Sequence, residues 1–326
     1  MKNKILKKLS ESGDYVSGQD LCDEFNVSRT AVWKAVEGLK KQGYEIEGIT
    51  GKGYRLLNAP DLINETAVAG KLTTKKWGRN YLFFEETDST NEVIKREAAL
   101  GAPEGTLAVA ELQTHGKGRR GRNWVSPKGS GVWMSFLLKP EINPAKASML
   151  TLVSALAAKK ACDEVCGKET FIKWPNDIVL DEKKICGMLT EMSTEIEVIN
   201  YVVIGIGFNV NTVSFPDEIK ETASSMYIET GKKIVRSDLI ASYGKYFEAY
   251  YEKFLETGDL SFLKEEYNKS LVSRNRRVKI IEKNGEFVGE ALGIDDNGEL
   301  LVKTENGAVK KIMSGEVSVR GLYGYV

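Results

Sequence analysis

Apolar positions in the first 57 residues recur at helical spacing and predict three short helices. Ser17 and Ser28 are suitable N-caps for the second and third of them. Residues 44–57 then predict two strands around a glycine-rich turn. Helices followed by a hairpin are typical of a winged helix-turn-helix. The apolar positions are, helix by helix, Ile5, Leu6 and Leu9, then Leu21 and Phe25, then Val32, Ala35, Val36 and Leu39.

Residues from about 66 to 270 mix apolar strands with amphipathic helices. Because several strands follow one another directly, the pattern indicates an α+β domain with a mixed sheet rather than strict strand–helix alternation. The predicted helices are Asn91–Leu100, Ala145–Val165 and Ser237–Leu255. The predicted strands are Tyr81–Phe84, Thr106–Leu112, Gly131–Leu138, Phe171–Trp174, Ile178–Leu180, Ile185–Glu191 and Tyr201–Asn211.

Residues 271–326 are nearly all predicted strand. Asn284-Gly285, Asn297-Gly298 and Asn306-Gly307 each lie between apolar or alternating runs. Asn-Gly is the strongest short-range signal for a hairpin, so the pattern favours a small β-barrel or meander. Together the three patterns of predicted elements indicate three domains, at residues 1–60, 66–270 and 271–326.

Composition narrows the classes of protein that fit. The chain has 326 residues, 42% of them hydrophobic, which is enough for real cores. Lys and Arg total 46 and Asp and Glu total 46, so any nucleic-acid site must be a local patch. Cysteine and histidine are too rare for a disulfide scaffold or a zinc finger, with only Cys22, Cys162, Cys166, Cys186 and His115 present.

Hydropathy argues against a membrane protein. The longest apolar stretch, near Met149–Ala158, is about half of the roughly 20 residues that a membrane span needs. The basic N-terminus lacks an apolar run long enough for a signal peptide. We therefore expect a soluble, cytoplasmic protein.

The third predicted helix carries candidate DNA contacts. A recognition helix needs long donors near its N-terminal end, where Ser28, Arg29 and Thr30 lie, and cations nearby for phosphates, such as Lys34. Lys52, in the hairpin turn, is placed for the DNA backbone or the minor groove. The competing interpretation is a solvated helical bundle with ordinary surface lysines, and the glycine-rich wing favours DNA binding.

A glycine-rich basic segment spans residues 113–124. No acidic residue occurs between Glu111 and Glu141, whereas six Lys or Arg do. Gly116, Gly118 and Gly121 fit GxGxxG, but a dinucleotide fingerprint needs a helix after the loop and here a strand follows. The loop is suited to wrapping an anion with backbone N–H groups and guanidinium forks. The alternative is a basic surface loop for nucleic acid.

Three further segments carry candidate chemistry. Residues 88–92 predict a capping box between Ser89 and Glu92, and such a helix start also presents polar groups to a small ligand. Residues 173–184 hold several carboxylates and lysines, of which one carboxylate could hold Mg²⁺ and one lysine could neutralise a phosphoryl oxygen. Residues 205–211 combine strand glycines, which allow close ligand approach, with Asn209 and Asn211, which would point to one face and could hydrogen-bond a ligand. Taken singly, each segment also fits a purely structural role as a cap, a solvated turn or a bulge.

In combination these motifs resemble one family along the whole chain. The motifs are DSTN at 88–91, Gln113 with GKGRRGRxW at 116–124, KWPND at 173–177 with Lys184, and GxGxNVN at 205–211. The chain resembles the bifunctional biotin–protein ligases that also repress the biotin operon. The resemblance implies a winged helix-turn-helix, an α+β ligase core with a mixed sheet, and a small C-terminal SH3-like β-barrel.

The resemblance also implies roles for individual residues. Lys184, Arg119 and Asp177 would be catalytic, and Asp177 would lie near Mg²⁺. Biotin would be held by Ser89, Thr90, Asn91, Gln113, Lys117, Gly118, Arg119 and Lys184. The nucleotide would be held by Arg119, Arg122, Trp124, Asn176, Asn209 and Arg320. Lys117 stands where the family often has arginine, which keeps the charge but loses the bidentate fork.

The implied activity is formation of biotinyl-5′-AMP from biotin and ATP with Mg²⁺, without a bound redox cofactor. Biotin is then transferred to a lysine of a biotin carboxyl carrier domain. Operator DNA and a ligand-promoted homodimer are the other implied partners, and no membrane is involved. The alternatives are a repressor that only senses a small molecule, a lipoyl ligase, and a nucleic-acid-binding protein that uses residues 117–128.

Overall fold

The computed structural model describes residues 1–282, 285–314, 318–321 and 325–326. Its backbone divides into two compact units, an N-terminal unit at Met1–Leu72 and a C-terminal unit at Thr73–Val326. Within the described ranges, no helix is long and apolar enough to cross a membrane. The mixed α+β class that the sequence predicts is confirmed.

The N-terminal unit is a helix-turn-helix with a two-stranded wing. Ser17 Oγ accepts hydrogen bonds from the backbone of Gln19 and Asp20, and Ser28 Oγ accepts one from Ala31, so both predicted caps are confirmed. The apolar stripes of the three helices meet in one core with Tyr44 and Ile46. The elements are α1 (Lys2–Ser12), α2 (Gly18–Phe25), α3 (Arg29–Lys40), β1 (Glu45–Ile49), β2 (Gly53–Asn58) and the short α4 (Glu65–Ala69).

The C-terminal unit is built on a seven-stranded mixed sheet with strand order β3-β4-β5-β9-β8-β7-β6. Only β3 and β4 pair in parallel, and the other neighbours are antiparallel. The strands are β3 (Tyr81–Phe84), β4 (Leu107–Ala110), β5 (Gly131–Leu138), β6 (Phe171–Lys173), β7 (Asp177–Leu180), β8 (Lys183–Glu195) and β9 (Val198–Asn209). The helices are α5 (Thr90–Ala99), α6 (Met149–Cys166), α7 (Met226–Thr230), α8 (Arg236–Thr257) and α9 (Lys264–Ser270).

Helices cover both faces of this sheet. Successive residues of a strand point to opposite faces, so Leu137 and Phe136 of β5 mark the two sides. Leu137 packs in the cluster that contains Val93 and Ile94 of α5. Phe136 packs against aromatic rings of α8, including Phe247 at 4.6 Å between ring centroids.

The last segment forms a five-stranded antiparallel sheet with order β13-β12-β11-β10-β14. Asn297-Gly298 and Asn306-Gly307 lie in its turns, which confirms both predicted hairpins. Asn284, of the third predicted turn, lies outside the described residues. A closed SH3-like barrel stays a prediction. The strands are β10 (Arg276–Glu282), β11 (Gly285–Ile294), β12 (Leu300–Thr304), β13 (Val309–Ile312) and β14 (Ser318–Gly321).

Candidate functional site

A cleft of about 930 Å³ opens in the C-terminal unit on the α5 face of the large sheet. It brings together segments that are far apart in sequence: the start of α5, the glycine-rich loop, the β6–β7 turn, β8, β9 and the C-terminal strands. Every predicted small-molecule site residue lines it. They are Ser89, Thr90, Asn91, Gln113, Lys117, Gly118, Arg119, Arg122, Trp124, Asn176, Asp177, Lys184, Asn209 and Arg320.

One end of the cleft is a corner of neutral polar groups. The backbone N–H and the hydroxyl of Thr90 both donate to Gln113 Oε1, at 2.9 and 3.1 Å. Gln113 Nε2 donates to Ser126 Oγ at 2.9 Å, and the Thr90 and Ser135 hydroxyls are 2.6 Å apart. These bonds fix the orientation of the Gln113 amide, so the corner is rigid before a ligand arrives.

Asn91 is held by the protein at both ends of its amide. Its Oδ1 accepts from Ser135 Oγ at 2.5 Å, and its Nδ2 donates to Glu191 Oε2 at 2.6 Å. A Cβ on Gly205 would be 2.0 Å from the same Oδ1, so the strand glycine makes room for Asn91. Sequence reasoning missed Glu191, because only the fold brings β8 to α5.

The predicted capping box between Ser89 and Glu92 is wrong. Ser89 is the N-cap residue of α5, but its side chain makes no capping hydrogen bond. Two lysines draw Glu92 away, with Lys95 Nζ at 3.0 Å and Lys117 Nζ at 2.6 Å from its Oε1. Hydrogen bonds from Lys117 and then Lys95 lower the pKa of the Glu92 carboxyl. The Ser89 side chain is therefore left as part of the cleft wall.

The glycine-rich loop folds back over the cleft. Residues 116–130, all described, contain a single 3₁₀ turn at Arg119–Gly121 and no α-helix, which confirms that the loop is not a dinucleotide fingerprint. Arg119 donates to Asn176 Oδ1 at 2.7 Å, and burial lowers the pKa of its guanidinium. Asn176 in turn donates to the Met188 carbonyl at 2.9 Å. Arg119 thus ties the loop to the β6–β7 turn.

The indole of Trp124 lies over two glycines that face each other on β8 and β9. Gly187 and Gly207 are paired across the strands, and a Cβ on either would come within 3 Å of the Trp124 ring. Lys184 Nζ is 5.1 Å from the centroid of the ring. Among the described residues, the buried Trp124 Nε1 has no hydrogen-bond partner. An aromatic wall beside a lysine suits a base with an attached phosphate.

The other end of the cleft is strongly cationic. Lys184 Nζ lies 2.6 Å from Asp177 Oδ1, and the Tyr325 hydroxyl donates to Asp177 Oδ2 at 2.5 Å. Lys173 Nζ is 3.1 Å from the centroid of the Tyr325 ring. Burial lowers the pKa of Lys173 to about 8, and the neighbouring Asp177 partly opposes that shift. Sequence reasoning missed Lys173, although its own motif contains it, and Tyr325, which only the tertiary structure brings here.

Asp177 is the one residue that the sequence assigns to Mg²⁺. Among the described residues, no group of three or more His, Cys, Asp or Glu could hold a metal ion. Asp177 Oδ2 accepts from Tyr325, whereas Oδ1 lies 2.6 Å from Lys184 Nζ but, among the described residues, accepts no hydrogen bond of regular geometry. These residues therefore do not form a Mg²⁺ site by themselves, and a Mg²⁺ ion here would depend on substrate phosphates for most of its ligands.

Asn209, the last residue of β9, and Asn211, two positions further on, play different parts. Asn209 donates to the Ser224 carbonyl at 3.0 Å and lines the cleft. Asn211 donates to the Ile234 carbonyl at 2.8 Å and accepts from the Ile234 backbone at 3.0 Å. The expectation that Asn211 could bind a ligand beside Asn209 is therefore wrong, because β9 ends at Asn209 and the Asn211 amide is used to hold the backbone.

In the N-terminal unit, the predicted DNA contacts lie on the exposed side of α3 and on the wing. Arg29, Thr30 and Lys34 are exposed, whereas Ser28 caps the helix and Lys52 lies in the wing turn. Arg29 Nη2 donates to Gln19 Oε1 of α2 at 2.9 Å. Trp33, which sequence reasoning missed, is 53% exposed on the same face. A helix surface of this kind fits the major groove.

A helix-turn-helix unit and, in the other unit, a cleft suited to a small acid and a nucleotide fit one class of protein: ligases that carry a helix-turn-helix domain. Three family models match in this order along the chain. They are an HTH domain at residues 2–55, the biotin/lipoate A/B protein ligase family at 83–209, and the biotin protein ligase C terminal domain at 275–320.

Comparison with whole proteins identifies the family. The chain is 40% identical to the bifunctional ligase/repressor BirA of Bacillus subtilis (strain 168), over 98% of each chain. It is 30% identical to the protein of that name from Escherichia coli (strain K12), over 97% of this chain and 96% of that one. The chain belongs to the bifunctional ligase/repressor family.

A solved structure supports the fold of the catalytic part. The biotin protein ligase from Aquifex aeolicus in complex with biotin and ATP matches with a TM-score of 0.66 and 34% identity. The match covers 74% of this chain and 99% of that one. The chain is therefore a ligase with an additional helix-turn-helix repressor domain.

Proposed function

We propose that the chain joins biotin to ATP to give biotinyl-5′-AMP and pyrophosphate, and then transfers biotin to a lysine of a biotin carboxyl carrier domain. One observation carries the proposal: a single cleft connects a rigid neutral polar corner, at Thr90 and Gln113, to a cationic end at Lys184 and Lys173. Biotin has an uncharged polar ring system at one end and a carboxylate at the other. That distribution of charge matches the cleft.

The polar corner is the proposed site for the biotin ring system. Ser89, Thr90 and Gln113, whose Nε2 keeps one hydrogen beyond its bond to Ser126, line the place of the ring system, and Lys117 and Gly118 close over it. The Asn91 amide is already bound at both ends. We therefore assign Asn91 to shaping this corner beside its predicted contact with biotin.

The cationic end is the proposed site for ATP. The base lies beside Trp124, and Asn176, Asn209, Arg122 and Arg320 complete the subsite. The reaction brings two anions together, since the biotin carboxylate attacks the α-phosphorus and pyrophosphate leaves. Catalysis is therefore mainly positioning and neutralisation of charge by Lys184 and Arg119. Mg²⁺, when bound with the nucleotide, supplies further neutralisation of the phosphates, and its placement near Asp177 stays a prediction.

In the second step the amine of the acceptor lysine attacks the mixed anhydride, and AMP leaves. The loop that Arg119 ties to Asn176 covers the cleft and keeps water from the anhydride. The test is acceptor labelling: the purified chain, biotin, ATP and a carrier domain should give a carrier that streptavidin detects. A carrier that remains unlabelled with an active control ligase present in parallel contradicts the transfer step.

The N-terminal unit is the proposed repressor of genes for biotin synthesis or uptake. The proposed domain boundaries are residues 1–60 for this repressor domain, 66–270 for the catalytic domain and 271–326 for the third domain. Binding of the adenylate would favour a homodimer, whose two winged helices match a two-fold operator. An operator-binding role places the chain in the cytoplasm. Sedimentation with and without biotin plus ATP tests the dimer, and an unchanged mass contradicts it.

A further inference from the structure

Tyr325 contacts two residues of the large sheet. It follows β14 in the chain, whereas its two partners are on β6 and β7. Its hydroxyl donates to Asp177 Oδ2 at 2.5 Å. Its ring covers Lys173, whose Nζ is 3.1 Å from the ring centroid. One side chain thus contacts both the acidic residue and a buried lysine of the cationic end.

These contacts restrain Asp177 from two sides. Lys184 Nζ is 2.6 Å from Oδ1, and the Tyr325 hydroxyl is bound to Oδ2. The carboxylate cannot rotate about its last bond without weakening one of the two contacts. This ion pair holds the Lys184 ammonium against the Asp177 carboxylate. The orientation of the carboxylate therefore also determines where the ammonium lies beside Trp124.

The ring of Tyr325 has a second effect. Lys173 is buried, and a desolvated ammonium is costly unless a partner replaces water. The face of an aromatic ring attracts a cation and supplies part of that replacement. The tyrosine therefore favours a charged Lys173 at the cationic end, where phosphates are expected.

We propose that Tyr325 is a positioning residue for adenylate formation: its hydroxyl orients Asp177, and through it Lys184, while its ring holds Lys173 for the triphosphate. This inference rests on the proposed ligase function. It assigns to Tyr325 a part in the reaction and not only in packing.

The experiment uses the full chain and compares Tyr325→Phe with Tyr325→Leu in biotin-dependent release of pyrophosphate. Tyr325→Phe keeps the ring and loses the hydrogen bond to a charged group, so kcat should fall about tenfold with KM for biotin unchanged. Tyr325→Leu also uncovers Lys173, so KM for ATP should rise severalfold as well. A purely structural residue would not separate kcat from KM in this way.

Two controls make the result specific. Phe287→Leu removes a similar pair in the third domain, where Lys310 Nζ is 4.3 Å from the ring centroid, and it should leave both parameters unchanged. In an Asp177→Asn background, Tyr325→Phe should add less than a twofold loss in a single-turnover assay, because the two changes remove one interaction. Thermal unfolding and titration with biotin show whether each variant is folded.

The inference is overturned if folded Tyr325→Phe has the kcat of the wild type, or if its loss multiplies fully with that of Asp177→Asn. It is equally overturned if Tyr325→Leu binds ATP more tightly, since the tyrosine would then obstruct the nucleotide. Failure of the proposed function is a different result: the wild-type chain itself would release no pyrophosphate in response to biotin.

Discussion

The indole of Trp124 lies against Gly207 so closely that a Cβ on this glycine would be 2.4 Å from both Cε2 and Nε1 of the ring. The facing residue on β8 is Gly187, where a Cβ would be 2.9 Å from the same ring. The absence of side chains on this pair is what admits the tryptophan. The position of the proposed adenine wall is therefore set by two strand residues that have no side chain.

Gly207→Ala should displace the Trp124 indole from its position over the two glycines. The φ of Gly207 is not in the left-handed region, so the added methyl group would clash with the indole but would not strain the backbone. Overpacking of this kind typically costs about 1–3 kcal/mol, and we expect KM for ATP to rise about tenfold or more. The KM for ATP is measured from the rate of pyrophosphate release at varied ATP concentration. Gly18→Ala is the matched control, since its Cβ would be an ordinary 3.8 Å from Tyr54. Equal behaviour of the two variants contradicts the assignment of Trp124.

Arg119→Gly should release the activated intermediate. The substitution removes the hydrogen bond to Asn176, at 2.7 Å, that ties the loop to the β6–β7 turn. We expect adenylate to leave the enzyme at least tenfold faster, measured by a chase with unlabelled biotin. Arg120→Gly is the matched control, because it removes a guanidinium from the same loop at a φ of 60° that glycine adopts readily. An unchanged lifetime of the intermediate in Arg119→Gly refutes the loop's role.

Arg29→Ala should weaken operator binding and spare ligation. The side chain is exposed at the start of α3, where a recognition helix meets base edges. Loss of a base contact typically costs about 1–3 kcal/mol, or tenfold to a hundredfold in affinity. DNA duplexes selected from a random library by the wild-type chain serve as the probe. Lys7→Ala, on α1, is the control variant. A parallel loss of ligation in Arg29→Ala argues against the separation of the two activities.

ATP binding should weaken as the pH rises from 7 to 9. Burial holds the pKa of Lys173 at about 8, so the ammonium is mostly charged at the lower pH and mostly neutral at the higher one. Phosphates need the charged form, and KM for ATP should rise severalfold across this range. Lys173→Met should have a high KM that stays flat between these pH values, whereas Lys310→Met should follow the wild type. An identical slope in Lys173→Met excludes Lys173 as the titrating group.

The secondary structure was predictable where periodicity and caps agree, as in α3 with Ser28 at its start. It was less predictable at the tip of the β8–β9 hairpin. There the predicted strand ends at Glu191, but β8 continues to Glu195, because backbone pairing persists through residues 192–195, which are exposed or half-buried. The short helices α4, α7 and α9 carry too few residues to show a helical period.

The residues of the candidate site also fall into those that the sequence predicts and those that it does not. Residues within sequence motifs, such as Thr90 and Lys184, were predictable and line one cleft. Glu191 and Tyr325 were not, since their partners Asn91 and Asp177 are 100 and 148 positions away in the sequence. The role of the strand glycines was only half predictable: they do permit close approach, but of the protein's own Asn91 and Trp124.

The most direct test of the account is the release of pyrophosphate from ATP by the purified full-length chain. We predict release that requires biotin and Mg²⁺, that lipoate does not support, and that Lys184→Ala reduces by at least a hundredfold. Release supported equally by lipoate would contradict the proposed substrate. No release with either acid, from a chain that still binds biotin, would contradict the ligase reaction itself.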